Sequence, residues 1–273
     1  MRIALAQLLS DSDPAVNLKL VEDYTRRAAD AGAQLVMFPE GMMCRFGVPL
    51  APVAEPLDGP WADEVRRIAH RAGITVLAGM FTPVPDGRVT NTVLAVGPDV
   101  DAHYDKIHMY DAFGFAESDA VAPGREPVVI SVDGVGVGLT LCYDIRFPTL
   151  YTELADRGAQ LITVHASWGA GPGKLEQWTL LARARALDST CFVAAVDQGY
   201  PGDEMATASK APTGVGGSLV ASPLGEVVAS AGDDPQLVIA DIDIDRVAPV
   251  REMLGVLRNR SEFAQTDKAE SPR

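Results

Sequence analysis

A short junction occurs twice in this chain, as Gly32-Ala33-Gln34-Leu35-Val36 and as Gly158-Ala159-Gln160-Leu161-Ile162. In both, a glycine closes a helical stretch and a continuous apolar run follows, as where a helix hands over to a strand inside a covered sheet. The elements around the two junctions come in matching order. The first half predicts a strand over 1–8, a helix from Pro14 to about Ala31 with Asp13 as its cap, and a strand over 34–38. A helix over 61–72, introduced by Asp58-Gly59-Pro60, leads to a strand over 74–81. Strands over 90–96 and 101–105 follow, and Gly97-Pro98-Asp99 between them predicts antiparallel pairing. Beyond Gly124 come strands 128–132 and 135–141, helix 149–157, strand 161–165, helix 174–189 and strand 192–196. Two related halves, each a mixed sheet with paired helices outside, predict an α/β fold: a four-layer αββα sandwich of two mixed sheets packed face to face.

Residues 200–215 contain Pro and Gly, are punctuated by Asp203, Glu204 and Lys210, and predict a long loop of the kind that covers sites. Strands over 217–222, 225–230 and 237–242 close the fold, with Ser222-Pro223-Leu224-Gly225 as a hairpin turn. No linker interrupts the pattern. A single domain is therefore expected over 1–263, followed by a polar, frayed tail over 264–273.

The net charge of −14 argues against nucleic acid or an anionic membrane as partner, because both are held by clustered Lys and Arg. No run of about 18 apolar residues offers a membrane span. Met1 to Leu8 opens directly as a strand with no charged leader, so a cytoplasmic protein is expected. The cysteines Cys44, Cys142 and Cys191 have neither the number nor the spacing of a disulfide or zinc framework. His70, His103, His108 and His165 form no HxxxH pair, and neither a metal nor another cofactor is expected. Gly169 to Lys174 fails as a phosphate loop, since Trp168 stands where its first glycine belongs and Leu175 replaces Ser or Thr.

Chemistry points instead to Cys142. Val135, Val137, Leu139 and Leu141 alternate with small residues as a closely packed strand, which ends abruptly in Cys142-Tyr143-Asp144-Ile145-Arg146 before Pro148 can open a helix. A thiol at a strand-to-helix turn has backbone N–H groups around it that can hold an oxyanion. A free cysteine is as readily a small buried hydrophobe. Glu40 follows Phe38-Pro39 at another strand end, and Lys106 follows Tyr104-Asp105 at a third. Together the three are the parts of acyl transfer: a sulfur nucleophile, a carboxylate to take its proton and a cation for the developing oxyanion.

These segments resemble the nitrilase superfamily of carbon–nitrogen hydrolases. The resemblance rests on Phe38-Pro39-Glu40, Tyr104-Asp105-Lys106-Ile107-His108 and Cys142-Tyr143-Asp144-Ile145-Arg146-Phe147-Pro148, in that order. Ala166-Ser167-Trp168, the Ala182 to Ala186 segment and Ser222-Pro223-Leu224-Gly225 extend it over most of the chain. It implies an αββα fold and a triad with Glu40 as general base, Lys106 as oxyanion stabiliser and Cys142 as nucleophile. Glu117 fits the place of a second family glutamate that orients the lysine or positions substrate; an exposed loop carboxylate is the alternative. The resemblance also puts Tyr143, Arg146, His108 and Trp168 at the substrate, with the Tyr143 N–H in the oxyanion hole. His108 is equally readable as a buried structural residue, and Arg146 either takes a substrate carboxylate or pairs with Asp144 or another acid.

The Tyr143-Asp144-Ile145-Arg146 continuation is similar to the branch of omega-amidases and deaminated glutathione amidases, as is Asp111-Ala112-Phe113-Gly114-Phe115. A small-molecule amide is the implied substrate, with N-carbamoyl amino acids and aliphatic nitriles as alternatives and a catalytically silent binding protein as the non-enzyme reading. A homodimer, or a larger homo-oligomer, is implied as well. One departure stands out: Gly216-Gly217-Ser218 occupies the place of a Gly-His-Ser in many relatives.

Overall fold

A computed structural model describes residues 1–112, 114–209 and 211–261. The first half begins with β1 (Arg2–Gln7) and α1 (Pro14–Asp30), then β2 (Leu35–Met37), α2 (Pro60–Ala72), β3 (Thr75–Pro83), β4 (Val89–Gly97) and β5 (Val100–Asp105). A two-strand hairpin, β6 (Asp111–Ala112) with β7 (Phe115–Ala116), bridges to the second half. There the order is β8 (Val129–Val132), β9 (Val135–Leu141), α3 (Pro148–Asp156), β10 (Leu161–Ala166), α4 (Lys174–Ser189), β11 (Phe192–Asp197), α5 (Asp203–Ala208), β12 (Leu219–Ala221) and β13 (Val227–Ser230). Finally β14 (Gln236–Asp241) returns to the first sheet, and α6 (Val247–Leu254) follows it.

The sheets run β14-β1-β2-β3-β4-β5 and β8-β9-β10-β11-β12-β13. Taken in those orders, both pair antiparallel, parallel, parallel, antiparallel, antiparallel. The repeat hinted at by the two junctions is thus a repeat of topology, with the last strand of the chain completing the first half. Leu5, Met37 and Leu77 of one sheet meet Leu139, Leu161 and Phe192 of the other in a core between the sheets. Helices α1 and α2 cover the first sheet through Val21, Tyr24, Trp61 and Val65, and α3 and α4 cover the second through Tyr151, Leu154, Trp178 and Ala182. Four layers result. Each large side chain so buried contributes roughly 1.5–3 kcal/mol relative to leaving it in water.

Local signals set the helix ends. The Asp13 side chain accepts from the Ala15 N–H at 2.9 Å and Pro14 supplies the first turn of α1. Gly73 stops α2 at φ +67°, where a side chain would be strained. Two expectations are corrected. The 200–215 stretch is not loop throughout, because α5 forms within it; that helix buries no side chain, so it has no apolar stripe to read. Helix α6 was not expected either, since Pro249 stands inside it, in the first turns where its missing N–H costs little. The 264–273 tail and Phe113 lie outside the described residues. Among those residues, no helix is long and apolar enough to cross a membrane.

One polar tie joins the halves behind the strand ends. Buried His165 of β10 donates Nδ1–H to the Phe38 carbonyl at 2.6 Å, so the second sheet fixes the backbone just before Glu40. Burial pushes this imidazole down to about 4, against a smaller opposing contribution from the Phe38 bond. A depressed folded-state value means that the neutral ring stabilises fully above the unfolded value of about 6.5 and that this stability is lost as pH falls towards 4. The contribution is roughly 3 kcal/mol. Urea unfolding at pH 7 and pH 4.5 should therefore show a steeper acid loss for the wild type than for His165→Gln, which has no ring to titrate; parallel losses would contradict this.

Candidate active site

Glu40, Lys106, Glu117 and Cys142 come from four separate strand ends or turns and line one cavity that opens to solvent. Their residue exposures of 1, 2, 5 and 8 % leave little water among them. Glu40 sits two residues beyond Phe38 where the chain leaves β2. Its backbone is pinned by the Glu40 N–H to the Ala166 carbonyl (3.3 Å) and by Gln198 Nε2 to the Glu40 carbonyl (3.0 Å). Its carboxylate accepts from the Ser167 N–H at 3.1 Å, from Asn91 Nδ2 at 2.8 Å and from Lys106 Nζ at 2.9 Å. Gly79 of β3 lets this loop approach: a Cβ there would lie 3.1 Å from Gly41 N and 3.3 Å from the Pro39 carbonyl.

Lys106 follows β5 and is held by its own N–H to the Asn91 carbonyl (2.9 Å). Its ammonium lies 2.9 Å from both oxygens of Glu117, which also accepts the Tyr110 N–H at 2.7 Å. Glu117 is thus a buried partner of Lys106 and not an exposed loop carboxylate. Burial by itself would lower the Lys106 value, but Glu40, Glu117 and Cys142 outweigh it and hold the group well above its ordinary range. The ammonium persists throughout the working pH range. Burial raises Glu40, a tendency that Lys106 reduces and Glu117 reinforces.

Cys142 directly follows β9 at φ +42°, a left-handed conformation that costs a non-glycine residue about 1–2 kcal/mol. A 3-10 turn, Cys142–Arg146, begins there, and buried Asp144 braces it. Asp144 accepts from the Leu141 N–H (2.9 Å), the Tyr104 hydroxyl (2.6 Å) and the His108 N–H (3.0 Å), tying the cysteine turn to the segment that carries Lys106. Burial, then Glu40, pushes the Cys142 thiol well above its ordinary value. At rest the sulfur therefore keeps its proton, next to a carboxylate of raised basicity. Such a pair can ionise the thiol as it attacks.

The other side of the cavity is formed by Tyr143, Arg146, Trp168 and Lys174. Arg146 makes no pair with Asp144, whose oxygens are engaged elsewhere. Its Nη2 donates to Gln177 Oε1 at 3.1 Å and its guanidinium faces the Trp168 ring at 4.9 Å, while its buried Nε has no acceptor. His108 does not line the cavity; its ring lies flat on Phe147 at 3.7 Å with Nδ1 2.7 Å from Asp144.

Several contributors lacked a readable signal. Asn91, between Thr90 and Thr92 in β4, bonds Glu40, and its amide among buried strand residues is the one feature that could have marked it. Asp197 accepts from the Trp168 N–H (2.8 Å) and the Val215 N–H (2.7 Å), and burial pushes it up to about 8; its position at a strand end resembled those of many surface acids. Lys174 looked like part of a turn. Gly217 has φ +63°, which strains any side chain, and a Cβ there would lie 2.4 Å from Leu175 Cδ1, so that leucine would have to shift. Cys44 and Cys191 are buried away from the cavity, their thiols near the Ser12 and Ala159 carbonyls.

A sequence model of the carbon-nitrogen hydrolase family matches residues 2–252. A protein of Mycobacterium tuberculosis described as a hydrolase is 70% identical over 278 residues, covering 99% of each chain. Deaminated glutathione amidase of Escherichia coli O157:H7 is 33% identical, covering 95% of this chain and 97% of its own. An omega-amidase of Xenopus tropicalis is 32% identical, covering 95% and 94%. Among solved structures, a glutamate-to-leucine mutant of the amidase from Nesterenkonia sp. AN1 superposes with a TM-score of 0.79 at 27% identity over 95% of this chain and 94% of its own. That structure shows covalent addition of the acetamide moiety of fluoroacetamide at the active-site cysteine.

Proposed function

The chain belongs to the carbon–nitrogen hydrolase family, and on that premise we propose that it is an amidase that hydrolyses a small carboxylate-bearing amide through a thioester on Cys142. The observation that carries this reading is the placement of the Lys106 ammonium 2.9 Å from Glu40 and from Glu117, in one cavity with the Cys142 thiol. The covalent adduct on the cysteine of the Nesterenkonia amidase supports the same role for Cys142.

In the proposed reaction Glu40 accepts the thiol proton as sulfur attacks the amide carbonyl. The carbonyl oxygen becomes negative between Lys106 Nζ and the Tyr143 N–H, one of the first amides of the 3-10 turn and so without an acceptor inside it. Glu40 returns the proton to the nitrogen, the C–N bond breaks, and ammonia leaves a thioester. Water then attacks that carbonyl while Glu40 takes its proton, and the acid departs as the thiol is restored. Glu117 holds the lysine in place and keeps it charged. His108 serves as a positioning residue by its bond to Asp144.

Arg146 and Lys174 argue for a substrate carboxylate. Both line the cavity, and burial followed by the nearby Arg146 charge lowers Lys174. A carboxylate between them would relieve that repulsion and offer an acceptor to the Arg146 donors. Ammonia release from ketoglutaramate, deaminated glutathione, N-carbamoyl amino acids and aliphatic nitriles tests the reading. Turnover of the carboxylate-bearing amides is expected, with KM raised about tenfold or more by Arg146→Gln. Turnover confined to nitriles or carbamoyl compounds would replace the amidase reading, and no turnover of any member would favour a binding protein.

A further inference from the structure

The cavity around Cys142 is bounded on one side by Phe46. That ring, set edge-on against Phe81 with centroids 5.8 Å apart, is a wall of the catalytic cavity and of two adjoining hollows. The larger hollow also shares Phe115 and Glu117 with the catalytic cavity, and the smaller shares Ser167 and Pro212. Val48, Leu50 and Met205 make the larger one mainly apolar. Arg45 lines both hollows.

Arg45 is unlike most arginines of this chain. With 37 acidic against 23 basic residues, arginines here readily find carboxylates: Arg2, Arg66, Arg88 and Arg260 each hold one at 2.6–2.9 Å. Among the described residues Arg45 has no carboxylate at ion-pair distance, and its Nη1 rests only on the Phe46 carbonyl at 3.2 Å. Its backbone is fixed by its N–H to the Asp11 carbonyl at 3.0 Å and by the buried side chain of Cys44 before it. Asp11 lines the smaller hollow with Arg45 and feels its charge, but not at ion-pair distance. An exposed guanidinium without an ion-pair partner, on a fixed segment and in hollows that adjoin the catalytic cavity at Phe46, has donor capacity for a ligand.

We propose that Arg45 anchors a second anionic subsite, which takes a carboxylate at the far end of an extended substrate whose arm passes around Phe46 from Cys142. The inference rests on the amidase reading and sharpens its substrate class. The acyl part of the amide carries two carboxylates, one near the reacting carbonyl at Arg146 and one beyond an uncharged spacer at Arg45. The apolar wall of Val48, Leu50 and Met205 suits the spacer, and the guanidinium suits the terminus.

Two glutamine derivatives separate this from other outcomes: glutamine acylated on its α-nitrogen by succinate, and the same compound acylated by butyrate. They share the side-chain amide and the α-carboxylate and differ in the distal carboxylate alone. Wild-type enzyme should release ammonia from both, with KM about tenfold lower for the succinyl compound. Arg45→Gln should raise that KM about tenfold, leave kcat within about twofold, and leave the butanoyl compound unchanged; Arg45→Lys should fall between. Equal changes for both compounds, or no wild-type preference while the butanoyl compound is turned over, would overturn the subsite and leave the amidase reading standing. Ammonia from neither compound, with the smaller amides also inert, would overturn the amidase reading and this subsite with it.

Discussion

Cys142→Ala should reduce ammonia release to the uncatalysed background, a loss of at least about 10⁴-fold, while the protein remains folded. Among the described residues no other thiol lines the cavity, and the Ser167 hydroxyl there is engaged with the Pro212 carbonyl at 3.0 Å. Folding should survive because the Cys142 thiol makes only weak polar contacts, with the Ser167 carbonyl at 3.9 Å and with Glu40, and alanine carries the same left-handed backbone cost as cysteine. Thermal midpoints of variant and wild type should therefore agree within a few degrees. Cys142→Ser should lose about 10³-fold or more, because Glu40, even with raised basicity, is far weaker than the base an alcohol needs. Near-normal turnover by the alanine variant would remove Cys142 from the chemistry.

Lys106→Met should damage both activity and stability, for separable reasons. The lysine lies 2.9 Å from two carboxylates, each at most 5 % exposed, so its loss leaves Glu40 and Glu117 buried without a cation. Breaking a buried pair in this way costs about 3–5 kcal/mol. Part of the cost is avoided if one carboxyl binds a proton, so the folded variant holds a raised carboxyl value. Its stability should then fall as pH rises through that value, more steeply than in the wild type. Adding Glu117→Gln removes one uncompensated charge and should recover much of the stability, seen as a higher urea midpoint at pH 7. Activity should stay down by about 10³-fold in both variants, because the oxyanion has lost its cation. A single variant as stable as wild type, or a double variant with restored turnover, would contradict the assigned arrangement.

The sequence made the architecture readable because each half repeats its punctuation. Pro14, Pro60 and Pro148 open helices, Gly32, Gly73 and Gly158 follow their ends, and the apolar runs after the two matched junctions became β2 and β10. Helix α5 stayed hidden because it buries nothing, and α6 because Pro249 interrupts the pattern. At the site, Glu40, Lys106 and Cys142 were visible as polar residues where apolar strands end, but only the resemblance suggested that such distant positions converge. Glu117 follows β7, a strand of two residues and so too short to announce it in the sequence. Asp144 was named in the sequence as part of the cysteine segment and as a possible partner of Arg146, with no bracing role. Its bonds to Tyr104, Leu141 and His108 depend on contacts that join residues far apart in the chain. The spare groove beside Phe46 had no sequence signal at all, since Arg45 is conspicuous only once its lack of a carboxylate is seen.

The most direct test of the central claim is intact-protein mass after rapid mixing with a turned-over amide and acid quench. The wild type should gain the mass of the substrate's acyl group, that is, the amide less ammonia, and peptide mapping should place it on Cys142. Cys142→Ala should show no such gain. Ammonia release with no acyl adduct on any timescale that resolves a single turnover, or an adduct on another residue, would contradict the thioester mechanism.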